Sequence, residues 1–245
     1  ARTELDPLAL RDARPICSGA EASTQDGGSA RAGGWGWLFG DEGGGYWIGC
    51  RALNHAASFL DDPGVTCAPF ARAVLHALDL PTQGSHAPDA LREWLRTRPH
   101  PRSAVGNVTP TVLALAHAQD PHAMALLQAA GTHLAALART ACKALATGQT
   151  APDMPWSYGG SVLHSLFIRD HVATLLGQPA VSPALPPLGG AALRAAHLAG
   201  WEVDAAWVNR LCQTLSPQSL QNALSCPLCS QNFCLSEPCS YAALP

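Results

Sequence analysis

Nine glycines fall within nineteen positions, Gly27 to Gly45, with Trp35, Trp37 and Trp47 among them or just beyond. Each glycine costs a helix interior about 1 kcal/mol relative to alanine, so this stretch is expected to form short strands joined by tight turns. Asp26-Gly27 is a hairpin signal inside it.

From Tyr46 to about residue 147 the apolar spacing turns helical, with breaks at Pro63-Gly64, Pro81 to Gly84 and Thr97 to Asn107. Four or five helices are expected. Thr66 to Leu78 places Phe70, Val74, Leu75 and Leu78 on one face, and Ser85 to Leu95 carries Pro88 in its first turn. The longest helix starts at the cap Asp120-Pro121, runs through Leu127, Leu134 and Leu145, and stops at Gly148. Beyond it, Pro152 to His164 reads as strand, glycine turn and helix start, and Gly189-Gly190 opens a second small-residue helix. Two such units predict helices packed on a sheet.

Charge narrows the partners. Only 13% of the 245 residues are charged, the net charge is -3, and the basic residues are dispersed. That distribution excludes an electrostatic grip on nucleic acid or on a membrane surface. Polar residues such as His122, Gln128 and Lys143 interrupt the longest weakly charged stretch, Asp120 to Leu145, so a packed helix is expected there and no membrane span. No secretory signal opens the chain, and a cytoplasmic location is the expectation. Residue 1 is Ala, which is expected of a processed product or a fragment.

The most specific segment is Gly33-Gly34-Trp35-Gly36-Trp37-Leu38-Phe39-Gly40-Asp41-Glu42-Gly43. Paired glycines permit close backbone approach, the indoles supply rigid walls, and Asp41 with Glu42 can accept hydrogen bonds from several hydroxyls. A turn cluster around core tryptophans would give the same composition. The order of residues, however, resembles the sugar-site segment of the N-acetylglucosamine kinase and BadF/BadG/BcrA/BcrD-type ATPase family, within the superfamily of actin, sugar kinases and heat-shock chaperone ATPases. Tyr46-Trp47-Ile48-Gly49, Asp120-Pro121, Ala130-Gly131, Gly159-Gly160-Ser161-Val162-Leu163-His164-Ser165 and Leu188 to Leu193 continue the resemblance in the family's order, over about Ile16 to Gly200.

The resemblance implies an α/β fold: a ribonuclease H-like, actin-like ATPase C-terminal lobe with an inserted helical region. Residues 1–45 would be a remnant of the strand, phosphate loop and sugar-site segment, 46–210 the lobe, and 211–245 a Cys-rich tail, disordered or non-native. It also implies ATP and Mg2+ as cofactors, an amino sugar phosphorylated at its 6-hydroxyl as substrate, and a homodimer as an open option. Gly34, Trp35, Gly36 and Asp41 would line the sugar site; Ala130, Gly131, Gly160 and Ser161 would contact the nucleotide. For Gly131, helix-on-helix packing is an equal alternative.

The front of the chain departs from the family. A Gly-Thr-Gly-Ser phosphate loop is replaced by Ser18-Gly19-Ala20-Glu21-Ala22-Ser23, where a glutamate would repel phosphate. The catalytic base is expected upstream of residue 1, since Asp6 and Asp12 lie in the wrong context. Impaired transfer, a non-catalytic amino-sugar-binding remnant, and an activator ATPase of an acyl-CoA dehydratase are therefore all carried forward. In the tail, Cys226, Cys229, Cys234 and Cys239 could supply four thiolates to zinc, although the second pair is spaced too widely for an ordinary knuckle. No metal site is expected elsewhere.

Overall fold

The computed structural model describes residues 18–23, 28–145 and 155–215, which fall into two compact units divided after Pro183. In the first unit, strands β1 (Gly19–Ser23) and β2 (Ser29–Gly33) form an antiparallel hairpin, Gly19 opposite Gly33 and Ser23 opposite Ser29. Seven helices follow: α1 (Gly45–Asp61), α2 (Ala68–Ala77), α3 (Ala87–Arg96), α4 (Pro101–Gly106), α5 (Thr109–His117), α6 (Pro121–Leu145) and α7 (Leu166–Leu176).

Proline sets several of the helix starts. It stands at the first or second position of α2, α3, α4 and α5, where its missing N–H costs nothing. Six helices lie between residues 45 and 145, where four or five were expected; the short α4 lies inside the Thr97 to Asn107 break, started by Pro101. Asp120 caps α6: its Oδ1 accepts the His122 and Ala123 amides at 3.0 and 2.9 Å. Asp120→Ala is expected to lower stability by about 1 kcal/mol, read as a shifted urea midpoint.

Small residues let the helices approach closely. Ile48, Ala52, Ala56 and Phe59 recur along one face of α1 and pack in a core with Phe70, Val74 and Leu75 of α2, Leu127 of α6 and Ile168 of α7. A Cβ on Gly49 would overlap the Val105 carbonyl, so α1 and the end of α4 meet backbone to backbone. The hairpin covers the last turns of α6 through a smaller cluster of Ala22, Ala32 and Ala141, with Leu137 and Leu145 at its edge.

This architecture corrects the expected α/β lobe. The described residues are predominantly helical, and their only sheet is the two-stranded hairpin. Of the strand expected within Pro152 to His164, the described part holds a single bridge, Trp156 to Ala180, before a 3-10 turn at Val162–His164. Parallel sheets buried on both faces need continuous Val, Ile and Leu runs, and neither 19–33 nor 152–164 contains one. The expected phosphate-loop remnant is likewise a paired strand, with Glu21 opposite Arg31.

The second unit contributes α8 (Pro187–Leu198) and α9 (Ala205–Thr214) to the described residues. Gly189 leaves room for Leu185 and Leu215, and Asp204 caps α9 by accepting the Trp207 amide. The Gly189-Gly190 helix thus forms, and among the described residues of this unit no strand accompanies it. Asp26-Gly27, Gly148 and the four cysteines from Cys226 to Cys239 lie outside the described residues. No described helix is long and apolar enough to cross a membrane.

Candidate functional site

The glycine-rich loop and the start of α1 enclose a pocket of about 300 Å³, near the small end of the range for small-molecule sites. Helical periodicity builds one wall. Tyr46, Cys50 and Asn54 are spaced four apart, as are Trp47 and Arg51, so all five fall on one side of α1. Trp37, Leu38, Gly40, Asp41 and Glu42 supply the other wall from the loop.

Glycine is required where the loop joins the helix. Gly43 has φ +83°, and a Cβ there would lie 2.6 Å from the Ala130 carbonyl oxygen of α6. A Cβ on Gly44 would run into the Asp41 carboxylate itself. Asp41 is therefore pressed against the entry to α1, whose free amide groups favour negative charge. Thr109 at the head of α5 donates its hydroxyl to the Gly45 carbonyl at 2.8 Å, tying two helix starts together beside the pocket.

Asp41 is 6% exposed. Its Oδ1 accepts the Ser18 amide at 2.9 Å, while Oδ2 is enclosed and has no hydrogen-bond partner of normal geometry. Burial pushes its carboxyl above the ordinary value of 3.8, outweighing the Ser18 amide, the Arg102 guanidinium and the Trp47 amide, which pull the other way. Tyr46 is pushed up to about 12 by its hydrogen bond with Cys50 and by burial, so its phenol stays a neutral donor near neutral pH. The aromatic wall is ordered: Trp37 meets Tyr46 edge-on at 5.3 Å between ring centres, and the Arg51 guanidinium lies 5.4 Å from the Trp47 ring centre.

Of the four expected sugar-site residues, Asp41 lines this pocket. Gly34 donates its N–H to the Ser18 carbonyl at 2.8 Å, Trp35 is 77% exposed with its Cβ over Gly40, and Gly36 has open space around its Cα. Of the four expected nucleotide contacts, Ala130 and Gly131 are buried, Gly131 against His171 and the Ile168 carbonyl of α7. Helix packing thus accounts for the missing side chain of Gly131. Gly160, at φ +86°, and Ser161 are exposed. Among the described residues no group of three or more His, Cys, Asp or Glu side chains could hold a metal ion.

Sequence reasoning missed Cys50, Arg51, Asn54 and Ser18. The first three follow from Tyr46 and Trp47 by the four-residue helix repeat, a signal present in the sequence. Ser18 is brought in only by the hairpin.

No family model matches the chain, and no curated protein matches it. Among solved structures it is similar to a Chromobacterium violaceum protein provisionally described as an N-acetylglucosamine kinase, at 30% identity over 71% of this chain, with a TM-score of 0.55. The chain spans 55% of that protein's length.

Proposed function

We propose that the pocket binds an amino sugar, and that the chain is the sugar-binding part of an ATP-dependent amino-sugar kinase-like protein. The acceptor would be the 6-hydroxyl of glucosamine or N-acetylglucosamine. The observation that carries this reading is the Asp41 carboxylate, a buried acceptor with Oδ2 unpartnered at an aromatic-walled pocket. The similarity to the Chromobacterium violaceum protein supports it.

The chemistry suits a pyranose. Flat rings bury its C–H faces, while Asp41, Glu42 and Asn54 offer hydrogen-bonding atoms to its hydroxyls. A fixed carboxylate also rejects analogues that leave it unpaired. On the same reading Gly34, Trp35 and Gly36 form the outer part of the sugar site. Gly160 and Ser161 would face the nucleotide, whereas Ala130 and Gly131 are taken up by packing against the Gly43 turn and α7. ATP with Mg2+ would supply the phosphoryl group.

One observation favours binding without transfer. The segment in the phosphate-loop position is a paired strand containing Glu21, which offers a nucleotide neither a loop nor a hydroxyl-rich cradle. Calorimetry with both sugars, followed by ADP release measured with N-acetylglucosamine, with glucosamine and without sugar, separates the outcomes. Sugar-dependent ADP release supports the kinase, and sugar binding without ADP release supports the non-catalytic reading. ADP release indifferent to sugar points to the activator-type ATPase. Absence of both sugar binding and ADP release sinks the proposal.

A further inference from the structure

Ser18 sits where the two ends of the 34–42 loop meet. Its carbonyl accepts the Gly34 amide at 2.8 Å, its own N–H donates to Asp41 Oδ1 at 2.9 Å, and its hydroxyl donates to the Glu42 carbonyl at 2.7 Å. With a longer contact from the hydroxyl to the Gly40 carbonyl at 3.4 Å, four hydrogen bonds of one buried residue thus close a nine-residue loop at its base, an arrangement typical of compact Ω-loops. Between these anchors Trp35, Leu38 and Phe39 are 77%, 67% and 74% exposed, so the loop has little apolar core of its own. Gly36, at φ +98°, meets nothing that would restrain its tip.

We infer that Ser18 is a positioning residue of this site: its hydroxyl, bonded to the carbonyls on either side of Asp41, fixes the loop end so that the carboxylate stays on the Ser18 amide at the pocket wall. The segment that lacks phosphate-loop chemistry thereby serves the sugar side instead. Only the effect on ligand affinity rests on the amino-sugar reading; the hold on Asp41 does not. Removing the Ser18 hydroxyl keeps the backbone bond to Asp41 but takes the donor from the Gly40 and Glu42 carbonyls and loosens the loop end that carries Asp41. The carboxylate then regains water, and the burial that raises its pKa is relieved.

The test follows the Asp41 carboxyl carbon by NMR pH titration in ligand-free wild type, Ser18→Ala and Ser18→Thr. Calorimetry with glucosamine and N-acetylglucosamine is run alongside, with melting temperatures recorded. Ser18→Ala is expected to bring the Asp41 titration down towards the ordinary carboxylate range and to weaken sugar binding roughly tenfold. Ser18→Thr, which keeps the hydroxyl, restores both. An unmoved Asp41 titration in folded Ser18→Ala overturns the positioning role of the hydroxyl, whatever the sugar affinity does. A titration that moves and is restored by threonine, with no heat from either sugar in wild type, keeps the positioning role and overturns the sugar reading. If Ser18→Ala does not fold, Ser18→Cys takes its place, keeping the bulk while weakening the donor.

Discussion

Asp41→Asn is expected to abolish measurable sugar binding while leaving the fold intact. Asparagine can still accept the Ser18 amide through its carbonyl oxygen, but an NH2 group replaces Oδ2, turning an acceptor into a donor. Hydrogen bonds to a charged group contribute about 1.5–3 kcal/mol each, so losing the one accepted at Oδ2, with a donor left in its place, lowers affinity by roughly a hundredfold. Stability moves differently. The folded pKa of Asp41 lies above its ordinary 3.8, so as pH rises the unfolded chain ionises there first. Wild type therefore loses stability between pH 3.8 and the folded value, and above that value the loss is complete. The asparagine variant escapes this loss. It should melt no lower than wild type at pH 7, and the difference should shrink below pH 3.8. Unchanged sugar affinity in calorimetry would reject Asp41 as the acceptor.

Gly49→Val is expected to be the most destabilising single change in the first unit that removes no apolar contact. Even one Cβ at this position overlaps the Val105 carbonyl and comes within 3.1 Å of its Cγ1. Backbone cannot rotate away as a side chain can, so α1 and α4 must separate. Overpacking of this kind costs about 1–3 kcal/mol and occasionally more, and valine's two methyl groups place it at or beyond the upper end. Because α1 carries Tyr46, Trp47, Cys50, Arg51 and Asn54, its displacement should open the pocket as well. A urea midpoint equal to wild type would show that the two helices do not meet at Gly49.

Local features were legible from the residues alone. The Asp120-Pro121 start of α6 could be read directly, because a cap depends on the residue and the two amides after it. The turn-rich character of 27–45 could be read for the same reason: Gly33, Gly34, Gly36 and Gly43 all adopt positive φ, a backbone state that glycine tolerates. Gly131 was different, since a helical glycine fits either a ligand or a neighbouring helix, and only the position of α7 distinguishes them.

Sheet formation failed as an expectation because a strand is defined by its partner. Trp156 pairs with Ala180 in one bridge, and among the described residues the pairing goes no further. In the site, Asp41 was identified from its segment, whereas Ser18 was assigned to a degenerate phosphate loop. Its four hydrogen bonds join residues 16 to 24 positions away, and no local pattern encodes them.

The sequence by itself determined where helices begin, where glycine must turn the chain, and which carboxylate is set among the tryptophans, because each depends on torsions and hydrogen bonds spanning a few residues. Only the tertiary structure decided that the described part of the first unit packs helices around one core with a single hairpin, that one face of α1 walls the pocket, and that the Ser18 amide meets Asp41. Those outcomes depend on which distant surfaces exclude water together, and on where a buried polar group finds its partner.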